Sequence, residues 1–161
     1  MSLADPVPAF TEAVSGAVPV PEPGDAADSL VLEDLTEDVD LRYHAVVPPG
    51  PGLGDHNTYD STFSDAEGTV LGTLEGAGWK VLVRESDGHL MSFYTERAVF
   101  PDGEIRTTGW VDVQAILEGK WQSLYAVGIS GRYLGLVGTR DLKGEIPRKR
   151  FRANFKLYRQ G

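Results

Sequence analysis

Residues able to do chemistry are sparse in this 161-residue chain, and few stand at spacings that a familiar catalytic device requires. His44, His56 and His89 form no close ligand pair, and cysteine is absent. Zinc, iron–sulfur and thiolate chemistry therefore lack ligands at the usual spacings, and no metal site is expected. No GxSxG elbow, P-loop or strand-following GxGxxG occurs. The glycine-rich stretch Gly128-Ile129-Ser130-Gly131-Arg132-Tyr133-Leu134-Gly135 is followed by no helical pattern. It reads as a turn leading into a glycine-thinned strand, not as a phosphate cradle. No spacing supports a glycosidase carboxylate pair. One residue breaks its local pattern. In 132–142, Arg132, Leu134, Leu136, Gly138, Arg140 and Leu142 share a strand phase, and Arg140 sits on the more apolar face. Arg132 lies at the start, where it reaches water. A guanidinium inside a protein requires a carboxylate or several acceptors. Arg140 is either a structural ion pair or a fork that binds a ligand's oxygens.

The elements that must position Arg140 read as strands. Residues 41–47 form a strand ended by Pro48-Pro49-Gly50-Pro51-Gly52, which must be an exposed loop. Strand-like stretches follow near 57–63, 69–75, 79–84, 89–99, 104–113, 119–127, 132–141 and 149–158. Asp87-Gly88 and Asp102-Gly103 lie between alternating stretches and signal hairpins. Short strands, tight turns and little helix predict an all-β meander: a small closed antiparallel barrel of about eight strands, which leaves no free edge. Residues 25–161 are expected to form this single domain, with 25–38 as a lid, a short helix or the first strand. Residues 1–24 carry five prolines and no period, and are expected to be a disordered arm.

Strand phase then nominates a lining. Trp79, Val81 and Val83 share a face opposite Lys80 and Arg84; Thr107, Val111 and Val113 share another. Leu90, Ser92, Tyr94 and Glu96 are in phase, as are Gln122, Leu124 and Ala126. The partner faces of those last two strands, with Met91, Phe93, Trp121 and Tyr125, are also apolar, so phase alone does not choose their inward face, and two-sided apolar strands suggest cover by a second subunit. In 149–158, Phe151, Ala153, Phe155 and Leu157 point one way, and Arg150, Arg152, Asn154 and Lys156 the other. The basic tail is thus mainly the solvated face of one strand. A mostly apolar lumen with a few polar groups suits an apolar ligand bearing carbonyl oxygens.

Net charge is −9, unevenly placed: residues 1–68 hold 14 acids against the single base Arg42, and residues 69–161 hold 10 acids and 14 bases. This balance argues against nucleic acid as a partner. The longest apolar runs span only a few residues and no signal peptide is visible, so a cytoplasmic protein off the membrane is expected.

The run Gly-Ile-Ser-Gly-Arg-Tyr-Leu-Gly-Leu-Val-Gly-Thr-Arg at 128–140, with Gly109-Trp110, Lys120-Trp121, the stretch Tyr59 to Gly68 and Asp87-Gly88 through Tyr94, resembles the bacterial spirotetronate and spirotetramate cyclases. These are small β-barrels related in fold to plant allene oxide cyclase. The resemblance covers roughly 55–142 well and hardly anything before 36. It implies a cofactor-free Diels–Alderase, usually a homodimer with a mobile loop over the barrel. Its reaction is an intramolecular [4+2] cycloaddition in a linear polyketide, between a diene and the exocyclic methylene of a tetronate or tetramate, giving a spiro ring. By the same resemblance Tyr94 and Arg140 are catalytic. Tyr59, Val113, Leu124 and Leu142 line the substrate, as Trp79 and Gln122 do by phase. Glu37, or else Glu33, is the acidic partner of Arg140. A lipocalin-type carrier of a polyketide or lipid fits the same lumen. So does another isomerase of the allene oxide cyclase type, for which Glu96 is the in-phase acid.

Overall fold

The structure is a computed structural model, and it describes residues 28–161. The expected arm at 1–24 lies outside the described residues. Eight strands close a meander barrel: β1 (Ser29–His44), β2 (His56–Ser64), β3 (Val70–Val83), β4 (Leu90–Phe100), β5 (Gly103–Asp112), β6 (Gln122–Gly131), β7 (Leu136–Ile146) and β8 (Arg150–Arg159). Every neighbour is antiparallel, and β8 returns to pair with β1. A short helix, α1 (Val113–Leu117), sits between β5 and β6. Among the described residues no helix is long and apolar enough to cross a membrane.

Of the segment 25–38, open in the sequence between helix, lid and strand, residues 29–38 form the first ten residues of β1. The stretches 69–75 and 79–84 prove to be one strand. Gly76 and Gly78 blank the apolar pattern between them because aromatic rings lie on their bare backbone. A Cβ at Gly76 would come 2.3 Å from Tyr59 Cζ, and one at Gly78 would come 2.5 Å from Tyr94 Cε1.

One end of the barrel is plugged. Phe63 and Phe100 meet Phe155 edge to face, with centroids 5.3 and 5.4 Å away, and Leu74, Ile105, Leu136 and Leu157 fill the space around them. Each such side chain contributes about 1.5–3 kcal/mol by leaving water. The other end is the mouth, bordered by α1, the 45–55 loop and the turn around Arg148. Asp55 ties that loop down. Its buried carboxylate accepts from the Tyr43 hydroxyl (2.7 Å), Val46 N (2.7 Å) and Gly52 N (2.8 Å). Those bonds, the Tyr43 hydroxyl first, stabilise the carboxylate and hold its pKa below the ordinary carboxylate value.

A bulge in β1 sets the lumen. The β1–β8 register shifts between Leu32 and Leu35, and Asp34 takes a left-handed φ of 54°. Leu30 and Leu32 point inward before it; Leu35, Glu37, Val39 and Leu41 point inward after it. Without the extra residue Glu37 would face solvent. Asn154 accepts from Asp34 N (2.9 Å), and Asp34 O accepts from Arg152, which satisfies the irregular backbone.

Candidate active site

The lumen above the phenylalanine plug is a two-step cavity. An upper chamber of about 130 Å³ opens at the mouth, and a lower recess of about 50 Å³ continues beneath it. Leu41, Asn57, Tyr94, Ile116 and Phe151 line both.

The recess has a polar floor. Arg140 on β7 is 1% exposed, and its Nη2 donates to Glu37 Oε2 at 2.6 Å. Its Nε lies 3.2 Å from Glu96 Oε2. The Phe63 and Phe155 rings lie 5.9 and 5.8 Å from the guanidinium carbon. Glu96 also accepts from the Tyr59 hydroxyl (2.5 Å) and from Thr107 Oγ1. Among the described residues Arg140 Nη1 has no acceptor. Burial pushes the Glu37 carboxyl up, and the Arg140 charge only partly offsets it. Burial opposes the Arg140 charge, yet Glu37 and Glu96 hold its proton more firmly than usual. Burial, reinforced by the Glu96 charge, raises the Tyr59 phenol well above its ordinary value.

Tyr94 stands between the two chambers, its ring against Gly78 and 6.0 Å from the Tyr59 ring. Burial raises its phenol too, against a counteracting Ser92 hydroxyl. The hydroxyl is therefore neutral and able to donate throughout the physiological range.

The positions chosen from sequence divide as follows. Tyr59, Tyr94, Arg140, Leu142 and Glu37 meet around the recess, and Val113 lines the upper chamber from α1. Leu124 stands opposite Arg140 on the inward face and packs with Val111 and Leu142, without lining either chamber. Two choices are corrected. Trp79 is 45% exposed on the outer face, because the inward phase of β3 runs through Leu74, Gly76, Gly78 and Lys80. Gln122 lines neither chamber; its amide oxygen accepts from Asp112 N and its amide nitrogen donates to Trp121 O. Glu33, the second choice as partner of Arg140, pairs instead with Lys156 on the barrel surface (2.9 Å). Glu96 is the second carboxylate on Arg140.

Sequence reasoning missed Lys80 and Asn57. Lys80 is 5% exposed, and its Nζ donates to Asn57 Oδ1 at 2.7 Å inside the upper chamber. The two glycines upstream hide the phase that would have pointed it inward. Asp87, His89 and Asp112 also come together near the mouth. Arg84 Nη2 already occupies that group, at 2.5 Å from Asp87 and 2.6 Å from Asp112, and Asp112 Oδ1 caps α1 at Ala115 N (3.1 Å). A guanidinium in the centre leaves a cation little reason to bind.

A closed antiparallel barrel with a dead-end apolar lumen and a few convergent polar groups is a small-molecule enclosure. Residues 35–157 match the allene oxide cyclase barrel like domain, and the chain belongs to that family. Among solved structures, it is 43% identical to a nonspecific heme-binding cyclase that catalyses [4+2] cycloaddition during neoabyssomicin biosynthesis (TM-score 0.79, covering 83% of this chain and 68% of that one). It is 44% identical to the Diels–Alderase AbmU from Streptomyces koyangensis (TM-score 0.77, covering 83% and 65%). The chain thus spans about two thirds of the length of both. AbnU, an exo-specific intermolecular Diels–Alderase, is 28% identical over 80% of this chain and 96% of its own (TM-score 0.72). A pyocyanin demethylase at 18% identity shares the fold (TM-score 0.61, covering 79% and 99%). No curated protein sequence matches the chain.

Proposed function

We propose that this chain is a cyclase that catalyses an intramolecular [4+2] cycloaddition. The substrate is a linear polyketide whose tetronate or tetramate ring carries an exocyclic methylene, and the product is a spiro ring. The observation that carries the reading is the shape of the lumen: a closed apolar end, a polar floor and an opening at the other end. Cycloaddition enzymes among the solved relatives support the same class. In the reaction two carbon–carbon bonds form as three π bonds reorganise, and no proton changes hands. The protein's contribution is to hold diene and dienophile within bonding reach in a dry cavity. The Tyr94 hydroxyl, donating to the ring carbonyl, draws density from the dienophile. Arg140, committed to Glu37 and Glu96, holds the floor rigid and keeps Nη1 for a ligand oxygen. No cofactor is needed for these steps.

Incubation with linear tetronate and tetramate polyenes tests this. The expected result is a product of unchanged mass formed faster than in buffer. No acceleration across a broad panel would remove the reading. Tyr94→Phe should lower kcat about threefold to tenfold, the worth of one hydrogen bond of ~1 kcal/mol, without lowering Tm.

The same reading includes a homodimer. Trp79, Phe93 and Trp110 stand side by side across β3, β4 and β5 on the outer face, with Phe93 and Trp110 edge to face at 5.2 Å. Trp79, Val81 and Trp110 are each near half exposed, an apolar row that a second copy would cover.

A further inference from the structure

The upper chamber holds a cation that makes no ion pair among the described residues. Lys80 is buried, yet among the described residues no carboxylate closes an ion pair with it. Its contacts are an amide oxygen, Asn57 Oδ1, and the faces of Tyr43 and Tyr94, with centroids 5.0 and 5.9 Å away. The charged groups facing it come from the 45–55 loop, the end of β7 and the β7–β8 turn. Asp55 is already spent on Tyr43, Val46 and Gly52. Arg148, on the β7–β8 turn, stacks 4.3 Å from the Tyr43 ring centroid and adds a second positive charge to the rim. Glu145, also on the lining, is engaged by Arg152 at 2.7 Å. Arg140 below presents the contrast, since its charge is met by two carboxylates. An ammonium kept out of water without an anion is costly, and the cost is recovered when an anion binds. Burial, with Arg148 adding to it and Asp55 opposing it, brings the Lys80 ammonium down to about 8.

We propose that Lys80 is a substrate-binding residue for an anionic head group, taking the enolate oxygen of an acidic dicarbonyl ring, with Arg148 guarding the rim. The substrate enters as the ring anion, not as a neutral ether or ester. Bound this way, the ring lies beside Tyr94 with its tail free to fold into the recess. The identity of the ring rests on the cyclase reading above; the demand for an anion rests on the chamber.

The test uses an acyl tetronic acid with a saturated tail, which cannot cyclise, and its neutral O-methyl ether. Binding of both is measured by calorimetry to the full chain and to Lys80→Met, Lys80→Gln and Lys80→Arg, with Tm recorded for each. Lys80→Gln keeps a donor for Asn57 and covers the case in which Lys80→Met does not fold. The acid should bind the wild type at least tenfold more tightly than the ether, and that preference should vanish in the Met and Gln variants. Affinity for the acid should fall as pH rises through about 8 in the wild type, where the free ammonium loses its proton. It should stay level in Lys80→Arg, whose guanidinium keeps its charge. Equal binding of acid and ether by the wild type, or an unchanged preference in a folded Lys80→Gln, would overturn the proposal. Polyene turnover is measured beside it. Turnover with no acid preference sinks the anion site alone, and acid preference with no turnover sinks the cyclase reading alone.

Discussion

At the residue scale, Arg140 is held by two carboxylates and two phenyl faces, and its removal would leave Glu37 and Glu96 buried together without a cation. Breaking a buried ion pair from one side costs about 3–5 kcal/mol. Arg140→Met should lower the urea unfolding free energy by that amount at neutral pH, so its loss of turnover would reflect the fold as much as the chemistry. Tyr94→Phe is the cleaner probe of catalysis. Glu37 yields a pH prediction. Its folded-state acidity is weaker than the ordinary value of 4.5, so its contribution is fully present below 4.5 and is lost as pH rises toward the folded value. The stability of the wild type relative to Glu37→Gln should therefore fall with rising pH above 4.5, read from urea midpoints across the acidic-to-neutral range. A flat difference would mean that Arg140 cancels the burial penalty.

At the element scale, the bulge in β1 decides which acid reaches the lumen. Asp34 tolerates the left-handed conformation that a β-branched residue resists. Asp34→Gly should gain about 1 kcal/mol and Asp34→Val should lose about 1–2 kcal/mol, measured by chemical denaturation. Turnover should fall in the valine variant by more than its stability accounts for, because slippage moves Glu37 off Arg140. The 45–55 loop and α1 are the other deciding elements. A chamber of about 130 Å³ is smaller than the ~300–1,000 Å³ of a typical ligand pocket, so substrate entry requires the mouth to widen. Asp55→Ala removes three hydrogen bonds from that loop. It should speed amide exchange at 46–54, read by hydrogen–deuterium mass spectrometry, while the strand amides stay protected.

At the scale of the whole molecule, the lopsided charge becomes the barrel's closing seam. Acids of β1 face bases of β8 where the last strand meets the first: Asp38 with Arg150 at 2.8 Å and Glu33 with Lys156 at 2.9 Å. These pairs are solvent-exposed, and each contributes about 0–1 kcal/mol. Their service is to register and pairing choice more than to stability. Deleting residues 1–24 should change KM or the product-release rate, read by steady-state kinetics, and unchanged kinetics would leave that segment without a role in turnover. On the outer wall, Trp110→Lys should convert a dimer to a monomer by light scattering while the far-UV spectrum persists.

The amino-acid sequence alone determined the closed all-β meander and its hairpins. It also determined the inward turn of Arg140, because period-two alternation is a local property of each strand. It placed the basic face of β8 outward for the same reason. The strand of Tyr94 is apolar on both faces, so there closure of the barrel decided which face turned in. Tertiary structure alone decided Lys80, Trp79 and the second carboxylate on Arg140. The phase of β3 passes through glycines that carry no pattern, and the phase of β1 is reset by one bulged residue. Partners such as Glu37, Glu96 and Arg140 converge only when eight strands close, across separations that no local window spans. An ion pair or an empty charge is a fact about what lies across the lumen, and closure of the barrel is what creates the lumen.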